Sequence, residues 1–336
     1  MRAAAWMSWV LGVAMLAAVI VAALHFSEQR QMVDIAQRAQ PWWLAVALAL
    51  QAATYAAQGE TWRLVMRAGG VRLPAMLGFE FSLAKLFVDQ ALPSAGLSGT
   101  LLVAGAFERR GVPRPVVMAA MIVGTVAYYG AYVGALLVAL AVTAAGARLT
   151  PVMVAVAGLL AAFSGVLITA VLALSGRRSA GPAWLRRLPL AGRLLALPAE
   201  ADPRLARSAA LIGRGVLCQL AIVLLDVATL WVLIRALGES AAPAGVFASF
   251  MASSLLRTVS VVPGGLGVFE AASVVTLQQA GVSLPAALAA TLLFRGYSFW
   301  LPMLPGVFFA RAAGRLDGAP AHAGRDAGAQ DRGRGR

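Results

Sequence analysis

The chain alternates long apolar runs with short segments rich in arginine. Five runs lack Asp, Glu, Lys and Arg, and each is at least as long as the roughly 20 residues that a helix needs to cross a bilayer. These runs cover residues 3–26, 39–59, 115–147, 149–176 and 271–294. The pattern predicts an all-α polytopic membrane protein. The first run is interpreted as a retained helix, because no clear small-residue cleavage site follows it.

The positions of the arginines and the single lysine predict the orientation in the membrane. Seven lie in residues 60–114, seven in 177–207 and six in 311–336, whereas 145–150 and 238–284 hold one each. Cytoplasmic loops carry an excess of Lys and Arg, so the first three segments, and with them both termini, are predicted to be cytoplasmic. Orientation thus explains the net charge of +14 without a nucleic-acid partner.

Two further apolar stretches, 75–109 and 244–280, begin and end on the same predicted side. Each is split near its middle by proline and small residues, "ALPSAGLSG" at 91–99 and "VVPGGLG" at 261–267. Proline and glycine interrupt helices, and each half spans only about 24 Å at 1.5 Å per residue. We therefore expect about six spanning helices plus two re-entrant broken hairpins. The alternative is eight spans, if each hairpin crosses the membrane.

The two broken stretches also resemble each other. Placing Pro93 on Pro263 aligns, without a gap, a Gly-Val pair that follows 18 residues later in both stretches. The predicted repeats cover about 42–145 and 210–310, and each consists of a helix, a broken hairpin and a helix. Their hairpins open to opposite sides, so the repeats are predicted to be inverted, an arrangement typical of transporters.

Two charged residues lie near the middle of predicted helices in the second repeat. Asp226 and Arg295 would each cost about 2.5–3.5 kcal/mol if buried alone in a bilayer. We predict that they pair with each other. The pair is either a static link between two helices or a site in which Arg295 binds an anionic headgroup that Asp226 holds or releases.

Further charged residues lie beside the breaks. Arg257 and Glu270 flank the "PGG" of the second break and are predicted to face a central cavity. Alternatively, Glu270 complements the dipole of its own helix. Lys85 and Asp89 are four residues apart, so they share a helix face, where they satisfy each other or bind substrate.

Several kinds of site are missing from the sequence. One cysteine and two histidines exclude a disulfide framework and argue against a Cys/His metal site. No GxxxxGK[ST] phosphate loop and no apparent nucleophile–base couple occur. We therefore expect neither metal nor cofactor, and no enzymatic activity. Residues 1–315 are predicted to form the membrane domain, and 316–336 a disordered basic cytoplasmic tail.

The segment "VVPGGLGVFE" at 261–270, together with the earlier "LPSAGLSG" and "FERRGVP", resembles the lysylphosphatidylglycerol synthase transmembrane-region family of flippase-like membrane proteins. The resemblance covers about residues 5–312. It implies a bacterial inner-membrane module that flips a lipid, here a stand-alone member without the family's cytoplasmic aminoacyltransferase domain. It also implies site residues in both halves, namely Pro263, Gly264, Gly265, Gly267 and Glu270 in the second and Pro93, Gly96 and Gly99 in the first.

The charges and the resemblance together predict translocation of an anionic or phosphate-bearing lipid, or of a lipid-linked intermediate, without ATP. The predicted partner is the anionic headgroup of a membrane lipid. The alternative is a non-transporting scaffold, or accessory subunit, for a lipid-modifying or glycosyltransferase system, whose enzyme would then be the partner.

Overall fold

The computed structural model describes residues 40–91, 96–145, 151–175, 198–260 and 262–315, and within these ranges the protein has helices and no strands. The longer helices are α1 (Pro41–Ala68), α2 (Ala75–Ala91), α3 (Leu97–Arg109), α4 (Arg114–Ala145), α5 (Pro151–Leu174), α6 (Ala209–Ala236), α7 (Pro243–Val259), α8 (Val268–Gln279), α9 (Leu284–Arg295) and α10 (Leu301–Arg315). A four-residue helix, Pro203–Ala206, precedes α6. A 3-10 turn, Pro263–Gly265, lies between α7 and α8, and a π-helical turn, Gly296–Trp300, joins α9 to α10. The predicted all-α class is confirmed.

Four of the described helical stretches are long and apolar enough to cross a membrane. They are Arg114–Ala145, Val154–Leu174, Ala209–Ala236 and Leu284–Ala313. Their length and composition agree with a polytopic membrane protein. The predicted first helix at 3–26 and the predicted tail at 316–336 lie outside the described residues.

One apolar run does not form the single helix that its length suggests. Residues 271–294 are divided between α8 and α9 by a turn in which Gly281 has a φ of +92°. Such a φ is accessible to glycine at little cost and ends α8 sharply. The last spanning stretch therefore begins at Leu284 and continues through the π-helical turn.

The chain turns back within each of the two broken stretches. In the first, Phe81 of α2 packs against Phe107 of α3 with ring centroids 4.9 Å apart. In the second, a Cβ atom added to Gly245 at the start of α7 would lie 3.1 Å from the Cβ atom of Ala280, just after α8. The two halves of each stretch are thus antiparallel and form a hairpin, and the ends of each hairpin lie on the same side of the protein.

The helix bounds repeat along the chain. Adding 168 to the bounds of α1 and α2 gives those of α6 and α7, and adding 170 to the start of α4 gives the start of α9. The segment between α7 and α9 therefore holds two more residues than the equivalent segment between α2 and α4. Equivalent helices α1 and α6 pack antiparallel, since Trp43 near the start of α1 meets Trp231 near the end of α6, with ring centroids 6.5 Å apart. The two repeats are therefore inverted.

The repeats interlock through their hairpins. Helix α2 packs on α10, and its counterpart α7 packs on α4, so the first arm of each hairpin lies against the last helix of the other repeat. The 3-10 turn of the second break also contacts α2. Both large buried apolar clusters draw on the two repeats, since the one built mainly from the second repeat includes Tyr132 of the first, and the one built mainly from the first includes Leu211 of the second. Large apolar side chains on α5, such as Leu159 and Phe163, remain exposed, as expected of a lipid-facing helix.

The backbones of α1 and α2 approach closely at Gly59 and Gly78, so this glycine pair can test the packing of the two helices. A Cβ atom at Gly59 of α1 would lie 2.6 Å from the carbonyl carbon of Gly78 in α2. We expect Gly59→Ala to lower the free energy of unfolding by about 1–3 kcal/mol, because the helices must separate.

The matched control is Gly134→Ala in α4, where no atom lies within 4 Å of an added Cβ atom. It should be neutral or stabilising by up to about 1 kcal/mol. Unfolding by SDS in mixed micelles measures both, and equal effects would contradict the packing.

Candidate functional site

A polar cavity of about 260 Å³ lies between the two repeats. Helices α1, α2 and α4 of the first repeat and α6, α7, α8 and α9 of the second contribute to its wall. Five of the lining residues are charged, and they are Lys85, Asp89, Asp226, Arg257 and Arg295. Five of the predicted site residues are therefore brought together, although only Arg257 and Arg295 are close to the second break.

The predicted pair of Asp226 with Arg295 is wrong. Arg295 instead pairs with Glu270, and the Nε–Oε1 distance is 2.7 Å. Only 4% of the Arg295 side chain and none of the Glu270 side chain is exposed. The Nη2 atom of Arg295 also donates to the carbonyl oxygen of Gly264 at 3.0 Å. Glu270 lies only three residues after Gly267, which caps α8, so the break itself brings the acid to Arg295.

One of the two expectations for Glu270 was that it faces the cavity, but it does not line the cavity. Its Oε2 atom accepts a hydrogen bond from the backbone N–H of Gly267 at 2.7 Å, so it caps the start of α8. Its other oxygen is taken by Arg295. Glu270 therefore complements its own helix, which is the alternative that the sequence left open. The ring of Phe299, 4.4 Å from Arg295 Cζ, closes the far side of this cluster.

Asp226 is held by an amide instead of a cation. Gln51 of α1 donates through Nε2 to Asp226 Oδ1 at 2.9 Å. Gln219 donates through Nε2 to Gln58 Oε1 at 3.2 Å in the same crossing. Positions 51 and 219 differ by 168, as do 58 and 226, so the two contacts are the same contact in the two repeats. A carboxylate stands in the second repeat where the first has an amide.

Lys85 and Asp89 form an ion pair, in which the Lys85 ammonium donates to Asp89 Oδ2. This is one of the two predictions made for them. Asp89 Oδ1 also accepts the backbone N–H of Gly99 at 2.9 Å, in the first turn of α3. The carboxylate thus caps the second arm of its own hairpin. Pro93, at the predicted centre of this break, lies outside the described residues.

Arg257 occupies the position equivalent to Asp89, since the two differ by 168. It lies in the last turn of α7 and is half-buried at the cavity wall. Among the described residues, no carboxylate oxygen lies within 4.0 Å of its guanidinium, whose closest ring is Phe269 at 5.9 Å. Glu270 caps α8 in this repeat, so position 257 is not needed for capping and carries a cation instead.

The second break brings Arg257 close to the chain reversal. A Cβ atom at Gly265 would lie 2.2 Å from Arg257 Cγ, so the stem of the arginine rests directly on this glycine. Gly264 carries the carbonyl that Arg295 binds, and Gly267 caps α8. Pro263 begins the 3-10 turn that contains Gly264. The predicted second-break residues therefore form one unit that positions Arg257 and Arg295.

Sequence reasoning missed the uncharged polar residues of the cavity. Gln51, Gln58 and Gln219 line it where α1 crosses α6. Gln90, Tyr132 and Ser254 line it as well. The recurrence of glutamine at positions 51 and 219, in equivalent helices, was the signal that would have revealed the first group. A lone serine or tyrosine in an apolar helix carries no comparable signal.

Comparison with known proteins gives one match that covers most of the chain. Residues 9–306 match the family model described as the lysylphosphatidylglycerol synthase TM region. No curated protein is similar enough to count as a relative.

Proposed function

Because the chain belongs to the lysylphosphatidylglycerol synthase TM-region family, in which a role related to membrane lipids is expected, we propose that it moves an anionic, phosphate-bearing lipid between the leaflets of a bacterial inner membrane. One observation carries the proposal. Arg257 lines a polar cavity between two inverted repeats and has no carboxylate partner among the described residues. A cation without a direct ion-pair partner is suited to bind the phosphate of a headgroup.

The chemistry of the guanidinium supports this role. Its planar fork gives two parallel hydrogen bonds to a phosphate, and such charge-assisted bonds are stronger than neutral ones. Arg295 also lines the cavity, but Glu270 already balances its charge. We therefore assign headgroup binding to Arg257 and assign to Arg295 the task of holding the second break in place.

The cavity is suited to a headgroup and not to acyl chains. Its volume, about 260 Å³, lies just below the range of about 300–1,000 Å³ that encloses a drug-sized molecule. The headgroup would occupy the cavity while the chains stay in the bilayer. Asp226 and Asp89 share this wall with Arg257. They would weaken the hold on the phosphate enough to permit its release.

The test is lipid movement in liposomes that contain only the purified protein. Liposomes carry a trace of phosphatidylglycerol or phosphatidylcholine labelled with NBD on one acyl chain, and external dithionite reports movement. We expect the protein to move the anionic probe faster than the zwitterionic one. Arg257→Gln should slow the anionic probe about 10- to 100-fold, since a hydrogen bond to a charged group contributes about 1.5–3 kcal/mol.

The matched control is Arg235→Gln. Arg235 lies in the last turn of α6, is exposed and does not line the cavity, so its loss should leave the rate unchanged. Movement no faster than in protein-free liposomes would contradict the proposal and favour the scaffold. An Arg257→Gln rate equal to that of the unmodified protein would also contradict it.

A further inference from the structure

Asp226 carries a charge that the packing of its helix does not require. Its Oδ1 atom accepts a hydrogen bond from Gln51 Nε2, and in the other repeat Gln58 Oε1 accepts the equivalent bond from Gln219 Nε2. An amide oxygen is therefore sufficient to join α1 and α6 at this crossing. A carboxylate near the middle of a membrane helix is costly, and acids in such places commonly carry protons. The acid at position 226 therefore indicates a role other than packing.

The charges on the cavity wall leave one cation and one carboxylate without a direct partner. Two of the three cations, Lys85 and Arg295, each form an ion pair. The third, Arg257, is close enough to attract the Asp226 carboxylate, but the two form no ion pair among the described residues. Their opposite charges cancel at a distance. The empty cavity is thus electrically neutral.

The helices packed on α6 place one unbalanced charge near Asp226. These helices are α1, α4, α7 and α9, and the short helix that precedes α6 adds no residue to the cavity wall. Their charged and titratable residues on the wall are Tyr55 on α1, Tyr128 and Tyr132 on α4, Arg257 on α7 and Arg295 on α9. Phenols are uncharged at neutral pH, and Glu270 balances Arg295. Arg257 is thus the cation that acts on Asp226 within the described part of the chain.

Binding of a phosphate to Arg257 would upset this balance. The phosphate would stand near the Asp226 carboxylate, and like charges repel strongly where water is scarce. A proton taken up by Asp226 removes the repulsion and makes the cavity neutral again. Because linkage between two ligands is reciprocal, the proton strengthens phosphate binding by the same factor as phosphate strengthens proton binding. The headgroup and the proton therefore bind together.

We infer that the protein couples the movement of each anionic headgroup to the movement of one proton in the same direction, with Asp226 as the proton carrier. The inference rests on the proposed function, because Arg257 must hold the anion. An O–H bond forms at Asp226 Oδ2, which makes no hydrogen bond among the described residues, with a proton from water on the side where the headgroup enters. The bond breaks when the headgroup leaves. The proton then passes to water on the opposite side, and the electron pair stays on the carboxylate.

This cycle moves no net charge across the membrane, since the cavity is neutral both when it is empty and when it holds one headgroup and one proton. A charge at the centre of a bilayer is costly, so neutrality of both forms lowers the barrier to their interconversion. A proton gradient can then drive the lipid without ATP.

The test follows protons and lipid together in liposomes that contain only the purified protein. Phosphatidylcholine vesicles enclose the pH indicator pyranine, and valinomycin with equal potassium on both sides prevents a voltage. Cyclodextrin delivers phosphatidylglycerol to the outer leaflet. Parallel samples with an NBD-labelled tracer and external dithionite measure the lipid that reaches the inner leaflet. We expect the lumen to acidify by about one proton per lipid moved, because each proton balances one headgroup.

Asp226→Asn keeps an oxygen that accepts from Gln51 but cannot carry the proton. We expect the ratio of protons to lipids to fall at least about tenfold, since no acid remains beside Arg257. A binding measurement does not depend on transport. Short-chain phosphatidylglycerol should withdraw protons from a weakly buffered detergent solution of the unmodified protein, but not from one of the variant. The control is Glu239→Gln, because Glu239 binds Ser283 outside the cavity, and it should keep both results. Unfolding temperatures verify that each variant is folded.

The outcomes separate this inference from the proposal on which it rests. Lipid movement without acidification of the lumen overturns the inference and leaves the proposed function in place. Movement that requires sodium at constant lumenal pH also overturns it, because the coupling ion is then sodium. Proton uptake that survives Asp226→Asn assigns the carrier to another group and overturns it as well. If phosphatidylglycerol moves no faster than in protein-free vesicles, both the inference and the proposed function fall.

Discussion

Glu270→Gln is expected to lower the free energy of unfolding by about 3–5 kcal/mol, although it changes only one atom type. Glu270 is fully buried, and its carboxylate is the charge that balances Arg295. Without it the guanidinium stays buried with a carbonyl and aromatic rings as partners, which do not neutralise it. SDS titration in mixed micelles measures the loss.

The double variant Glu270→Gln/Arg295→Gln separates charge from packing. We expect it to be more stable than Glu270→Gln alone, because no uncompensated charge remains in the interior. The control is Glu108→Gln. Glu108 pairs with Arg114, whose side chain is half-exposed, so its loss should cost less than about 1 kcal/mol. If the double variant lost as much as the two single variants together, the pair would contribute no coupling.

Gly264→Ala is expected to cost about 2–5 kcal/mol and to disturb the second break. Gly264 has a φ of +64°, and a Cβ atom there would lie 2.3 Å from Cε2 of Phe299. The left-handed conformation costs about 1–2 kcal/mol for alanine, and the displaced ring adds about 1–3 kcal/mol. The same SDS titration measures the effect, and the liposome assay shows whether Arg257 still binds the headgroup.

Gly238→Ala is the matched control for this substitution. Gly238 also has a left-handed conformation, with a φ of +81°, but a Cβ atom there would meet nothing within 4 Å. It should therefore show only the conformational cost of about 1–2 kcal/mol. Equal losses in the two variants would mean that Phe299 does not hold Gly264 in place.

The helical class, the two hairpins and their resemblance could be read from the sequence. Apolar runs of sufficient length mark helices, because a bilayer leaves no alternative for backbone hydrogen bonds. The breaks were visible as proline and glycine within apolar sequence. The relation between the repeats is visible in Gly111, which follows α3, and in Gly281, which follows α8 at the equivalent position. These signals are local, so no knowledge of packing was needed.

The ion pairs could not be predicted in the same way. The mid-depth positions of Asp226 and Arg295 in one repeat favour a pair, yet depth does not say which way a side chain faces. The spacing of Gly267 and Glu270 did carry information, since three residues is the interval of a capping interaction. Recognition of that interval would have placed Glu270 at the break and Arg295 with it. That Arg257 has no carboxylate partner among the described residues is a result of packing alone.

The crossing of α1 and α6 has a consequence for how such a protein can evolve. If two identical polypeptides inserted in opposite directions and met along this helix, each would carry the same side chain at the crossing. The dimer would then hold two amides or two carboxylates, and a lone acid would be impossible. Joining both halves in one polypeptide lets Gln58 and Asp226 differ, and lets Asp89 and Arg257 differ as well. Covalent linkage thus frees each half to mutate separately, so a nearly symmetric framework can have chemically different faces.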